Sequence, residues 1–249
     1  MPASAVWRGA AAPVLFLIAA EVIMKHLPYQ SESFAAPSSA AAAFVEMARD
    51  GTLLNLTAQT LATCLAGSCI GMAIGLFFGT WMGLSRITNG ALSLTVEMLR
   101  PVPAIALLPI LMMIFGLGYR MEIALVAFTC VWPMLVLSRA AIAGIEPQLL
   151  EVARLLELPS AVYTKKIVLP AVLPRIFVAV RLTIGIGLIV AVTSEITANP
   201  LGLGHAIMMS QQTFRPDAMF ALLGWIAVIG WAVSYGLMKF EHKMFVAWG

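Results

Sequence analysis

Apolar residues along this chain gather in runs of membrane length, at about 11–27, 53–84, 103–117, 120–138, 175–196 and 218–238. Short stretches rich in Pro, Gly, Asn and charged residues separate them. A helix crossing a bilayer needs about 20 mostly apolar residues. The pattern therefore predicts an all-α integral membrane protein with six transmembrane helices, folded as one domain over residues 1–249. The first run is short and carries Glu21 inside it. Arg8 precedes it as in a signal sequence, but no small-x-small cleavage site follows promptly, so an uncleaved helix is expected. Residues 28–51 are expected to form an external loop with a short amphipathic surface helix, and residues 197–216 a short outer segment rich in turn residues.

Two runs carry internal structure. In the second, Gly67, Gly71, Gly75, Gly79 and Gly83 recur every four residues, which stacks them on one slowly rotating stripe of a helix. Between membrane helices, small residues allow close backbone approach, so the stripe is expected to be a packing face; a substrate path lined by bare backbone is the alternative. The polar start of this run, Asn55, Thr57, Gln59 and Thr60, is expected to face other helices or a pore mouth. Ahead of the third run, an amphipathic stretch carrying Glu97 and Arg100 meets Pro101 and Pro103, which break the helix. Broken helices at membrane depth occur only where they face protein or a water-filled cavity. Arg100, Pro101 and Pro103 are therefore candidate pathway residues, with an interfacial kink as the competing reading. Glu195, near the outer end of the fifth run, is the most suggestive intramembrane acid and a candidate gate or structural link.

The longest polar interruption is residues 146–175. Leu149, Leu150, Ala153, Leu156 and Leu158 recur at helical spacing, and Pro147 suits a first turn. Pro159 ends this helix, and a second is expected from Ala161 to Leu169, closed by Pro170. Two short helices meeting at an angle would make a knob on the membrane surface, placed to meet a soluble partner.

Composition agrees with this architecture. The chain is 61% hydrophobic and 11% charged, with mean hydropathy +0.95, far from a soluble domain. Cys64, Cys69 and Cys130 lie inside apolar runs without metal-ligand spacing, and are expected to be small core residues. The net charge of +3 is spread along loops and is no nucleic-acid signature. It is a topology signal instead. With both termini and the 139–175 loop on the cytoplasmic side, eleven of the Lys and Arg residues, among them Arg86, Arg139, Lys165, Lys166 and Lys243, fall at the inner face. Lys25, Arg49, Arg120 and Arg215 remain outside, as the positive-inside rule requires. No catalytic constellation is present: His26, His205 and His242 are scattered, and there is no phosphate-binding G-x-x-x-x-G-K-[ST]. A lone chain of this kind cannot hydrolyse ATP.

The 146–170 loop resembles the E-A-A-x-x-x-G loop, followed by I-x-L-P, of binding-protein-dependent ABC importer permeases of the type I fold. Glu151, Ala153, Ile167, Leu169 and Pro170 stand at matching positions, while Val152 and Glu157 depart from the pattern. R-P-V-P-A-I-A-L-L-P at 100–109, F-G-L-G at 115–118, Ser194-Glu195 and G-L-G at 202–204 resemble the branch that handles sulfonates, taurine, nitrate and related compounds. The resemblance covers roughly residues 50–245. It implies a non-catalytic permease subunit of the bacterial inner membrane, working as a homodimer. Two separate ATP-binding cassette subunits would hold ATP and Mg, and a soluble periplasmic or lipid-anchored binding protein would deliver a small organic anion. Glu151, Ala153, Arg154, Leu156, Glu157, Leu158 and Pro170 become the expected ATPase-coupling residues. With Glu157 in place of the motif glycine, the helix is expected to continue to the turn at Pro159. Nitrate, an aromatic acid or a pyrimidine precursor are rival cargoes, and an ion-coupled secondary transporter or an intramembrane enzyme are readings of a different class.

Overall fold

A computed structural model describes residues 3–26, 34–146 and 164–246, together with the single positions 148, 151, 159 and 162. Among these residues the chain forms nine α-helices. They are α1 (Ala3–His26), α2 (Pro37–Arg49), α3 (Thr52–Leu84), α4 (Arg86–Leu99), α5 (Leu108–Phe115), α6 (Tyr119–Ala143), α7 (Leu169–Thr197), α8 (Gly202–Gln212) and α9 (Pro216–Val246). Among the described residues, four helices are long and apolar enough to cross a membrane: α3, α6, α7 and α9. A fifth crossing is made if α4 and α5 count as one broken span, bent by 84°. The span expected at 11–27 falls in α1.

The order of contacts along the helices sets the topology. Gly67 of α3 packs on Val126 of α6, Gly71 on Cys130, Gly75 on Met134, Gly79 on Ser138 and Gly83 on Ile142. Both numbers rise together, so α3 and α6 run parallel for about 24 Å. The segment joining them must therefore return from the end of α3 to the start of α6, and α4 with α5 makes that crossing. An eight-residue α5 spans only about 12 Å. The third run of the sequence is thus one limb of a bent pair and not a whole span. Helix α7 runs antiparallel to both: Gly187 meets Ser68 and Cys130, while Thr60 bonds Glu195. Helix α9 is antiparallel to α7 in turn, pairing Gly230 with Leu188 and Glu241 with Arg181. The ends of α3, α6 and α9 and the start of α7 consequently share one end of the bundle. The short helices α2 and α8 lie at the other.

All five glycines face α6. A methyl group at Gly67 would lie 2.7 Å from Val126 Cβ and 2.8 Å from the Ile123 carbonyl. At Gly71 it would lie 2.7 Å from Cys130 Cβ and press on the Ala127 carbonyl, and at Gly83 it would lie 2.9 Å from Ile142 Cβ. Backbone lies against backbone along the whole seam, which is the physical use of the four-residue repeat. Behind it, Cys64, Val126, Cys130, Leu188, Ala191, Leu203 and Leu222 build the main core cluster.

Several expectations need correction. Cys64 and Cys130 are buried, but Cys69 is exposed on the outer surface of the bundle. The 197–216 segment contains a real helix, α8, because three capping groups described below support its start. Of the expected second helix of the polar loop, Ala161–Leu169, the described part includes a π-helical turn, Thr164–Val168, that runs directly into α7, while Ala161 and Tyr163 lie outside the described residues. Pro170 does not close that element. It sits in the first turn of α7, just after the π-helical turn.

Candidate functional site: the broken helix, the outer polar node and the loop base

The broken span is shaped by its prolines. Helix α4 ends at Leu99, Arg100 caps it, and Pro101 and Pro103 prevent its continuation. A single 3₁₀ turn, Ala104–Leu107, then starts α5 in a new direction. Arg100, Pro101 and Pro103 are all exposed. The sequence alone placed Arg100 low in the path, near the inner headgroups. In the structure it lines a cavity of about 250 Å³ with Phe128, Thr129, Trp132 and Pro133 of α6 and Ile186 of α7. Those residues belong to the middle turns of α6 and α7, so the break lies near mid-depth.

Glu195 lies elsewhere, in a buried polar node at the α2–α8 end. Its Oε1 accepts from Thr60 Oγ1 at 2.7 Å and its Oε2 from the Gly204 backbone N–H at 2.8 Å. The Leu203 N–H donates to Thr60 Oγ1 at 2.9 Å, and the Gly202 N–H to Gln59 Oε1 at 3.0 Å. The first N–H groups of a helix have no partner within it and present partial positive charge. Three side chains, two from α3 and one from α7, thus cap α8. Gly202 has φ +86°, and a Cβ there would run into the Glu195 carboxylate; glycine is required by conformation and by space together. Glu195 is therefore a structural link between α7, α3 and α8. It is 1% exposed and has no open route to a passing solute.

A second acid completes the node. Glu122 of α6 is fully buried, accepting from Thr63 Oγ1 at 2.5 Å and from Asn199 Nδ2. The sequence reading passes over it, because an acid in the first turn of a helix looks like an ordinary dipole partner. The signal was there: an acid inside a membrane-length apolar run faces protein by default. The polar start of α3 finds its partners here too, with Thr57 Oγ1 accepting from Trp225 Nε1 at 2.8 Å.

At the opposite end the 146–170 loop begins and ends on one joint. Arg175, in the second turn of α7, donates to the Ala141 carbonyl at 3.3 Å and lies against Gly144. A cation at these last carbonyls of α6 is favourable, and it ties the two ends of the loop together. Glu151 and Pro170 are exposed. Ala153, Arg154, Leu156, Glu157 and Leu158 lie outside the described residues.

A family model described as the binding-protein-dependent transport system inner membrane component matches residues 71–243. The chain belongs to this family. Among its relatives, a putative aliphatic sulfonates transport permease protein of Bacillus subtilis (strain 168) is 30% identical over 201 residues, covering 81% of this chain and 73% of that one. The taurine transport system permease protein of Escherichia coli (strain K12) is 27% identical, covering 78% and 71%. The bicarbonate transport system permease protein of Synechococcus elongatus is 30% identical, covering 73% and 66%. In fold, the chain is similar to the inward-facing methionine ABC transporter, with TM-score 0.67, 18% identity and coverage of 74% and 92%. It is also similar to an amino acid ABC transporter, with TM-score 0.62, 21% identity and coverage of 80% and 98%. The fold is that of type I ABC importer permeases, and the chain is a multi-pass inner-membrane transport component.

Proposed function

We propose that the permease forms, with a second copy of itself, the translocation pathway of an ATP-driven importer for a small organic anion of the sulfonate or taurine class. Two separate ATP-binding cassette subunits, carrying ATP and Mg, dock on the 146–170 loops, and a soluble or lipid-anchored binding protein delivers cargo to the α2–α8 end. The observation that carries the cargo class is that relatives named for aliphatic sulfonates, taurine and bicarbonate share a compact oxyanion. The orientation rests on charge. Arg86, Arg139, Arg175, Lys239 and Lys243 all fall at the loop end, which the positive-inside rule makes cytoplasmic, termini included. ATP binding closes the cassette dimer and draws the two loops together. Because each loop is seated on the Arg175–Ala141 joint, that motion passes directly into α6 and α7, and hydrolysis resets the state.

Uptake into proteoliposomes holding the permease, its cassette subunit and its binding protein tests this reading. ATP-dependent accumulation of radiolabelled ethanesulfonate or taurine is expected. ATP-dependent accumulation of only bicarbonate or nitrate would reassign the cargo, and uptake driven by an ion gradient without ATP would overturn the mechanism.

A further inference from the structure

The cavity at the break of α4 and α5 is chemically lopsided. Arg100 has no ion pair and no hydrogen bond among the described residues, and no acidic side chain lines the space. Trp132 lines it as well, and its Nε1–H is buried without an acceptor. A buried donor left unpaired is unfavourable by ~1–3 kcal/mol, so it marks a place where an acceptor is missing. The hydroxyl proton of Thr129 is already committed to the Leu125 carbonyl at 2.9 Å. Phe128, Pro133 and Ile186 supply the remaining, apolar wall. The edge of the Trp132 ring is fixed by its T-shaped packing on Phe128, with centroids 5.4 Å apart. An unengaged guanidinium beside an apolar, partly aromatic wall matches an oxyanion head with a short aliphatic tail. At about 250 Å³ the space falls below the ~300–1,000 Å³ of pockets for drug-sized ligands.

We propose that the cavity formed by Arg100 and Trp132 at the α4–α5 break is a mid-membrane stop for the transported anion, holding a sulfonate or carboxylate head on the guanidinium and its short tail against the aromatic wall. This deepens the importer reading and rests on it. An intramembrane arginine without a carboxylate partner is costly unless it faces water or an anion, and discontinuous helices near the midplane are where transporters place such sites. The head is bound by charge, so cations are excluded. Binding stays weak because half the wall is apolar and the cavity is open, which lets the cargo leave.

Saturation-transfer NMR on the full chain in lipid nanodiscs tests the site, with ethanesulfonate as probe and ethylammonium as the cation of matched size. A saturable signal with ethanesulfonate and none with ethylammonium is expected. Arg100→Gln weakens ethanesulfonate by about tenfold or more, as expected for loss of a charged partner. Arg100→Lys retains most of the binding because the charge remains, and this also shows that position 100 tolerates change without unfolding. Unchanged affinity in Arg100→Gln, equal binding of ethylammonium, or no saturable signal in the wild type would each overturn the proposal. Proteoliposome uptake separates the two levels. If the wild-type complex imports ethanesulfonate and Arg100→Gln imports it equally well, this site is refuted while the importer reading stands; if the wild type imports no anion, the importer reading itself fails.

Discussion

At the scale of single residues, what holds this protein together is the absence of side chains. Gly71 lies where a methyl group would press on the Ala127 carbonyl and on Cys130 Cβ, and a helix backbone cannot yield as a flexible side-chain tip can. Gly71→Ala should push α3 off α6 and lower stability by ~1–3 kcal/mol, the usual effect of overpacking. Gly90 has nothing within 4 Å of its built Cβ, so Gly90→Ala should be neutral or slightly stabilising. Denaturation of the purified variants in mixed micelles compares the two. Equal stability for Gly71→Ala would mean that the seam is looser than described. The glycine spacing could be read from the sequence because it is periodic. Its partner could not, since nothing in the period says which of the other helices lies parallel to α3. Cys69 was illegible for a related reason: a lone small residue in an apolar run points inward or outward according to neighbours that only the fold supplies.

At the scale of elements, two short helices are built alike. Helix α2 has no capping side chain of its own at Ala36. Instead Glu21 of α1 accepts from the Ser38 N–H at 3.0 Å and the Ser38 hydroxyl at 2.7 Å. Helix α8 is capped in the same manner by Glu195 of α7. In both cases an acid near the outer end of one helix anchors the short helix that follows, which explains two acids that interrupt apolar runs. Glu195→Ala removes the acceptor for Gly204 N–H and Thr60 Oγ1 in a buried setting, which should destabilise the protein by ~2–5 kcal/mol. Glu195→Gln keeps one acceptor and should retain more than half of that. Hydrogen exchange of residues 202–206 reads the cap directly. Faster exchange there in Glu195→Ala, with α6 unaffected, is expected; unchanged exchange would show that the helix start is held by other contacts. The sequence could offer Glu195 as a gate or a link, and the Gly204 and Thr60 bonds show which elements it joins. Likewise Pro101 and Pro103 announce a break, while its 84° angle and mid-depth position come from the need to return between two parallel helices.

At the scale of the molecule, the polar features separate by depth. One end carries the caps of α2 and α8, the middle carries Arg100 at the broken span, and the opposite end carries the charged loop closed by Arg175. Such a layout suits a subunit that receives cargo at one face and mechanical work at the other. The apolar runs that became α3, α6, α7 and α9 were legible because the bilayer imposes a simple rule on composition. The helix order around the bundle was not, because membrane-length helices of similar hydropathy are interchangeable until their small-residue faces are matched. The account stands or falls on the inner loop as the point where a separate ATPase delivers work. The direct measurement is ATP hydrolysis by the reconstituted complex with its binding protein, wild type against a double variant Ala153→Asp plus Leu156→Asp. Loss of assembly with the cassette subunit, or at least a tenfold fall in stimulated hydrolysis (about 1.4 kcal/mol), is the predicted result. Full assembly with undiminished stimulation would contradict it, and would leave the 146–170 loop a mere connector.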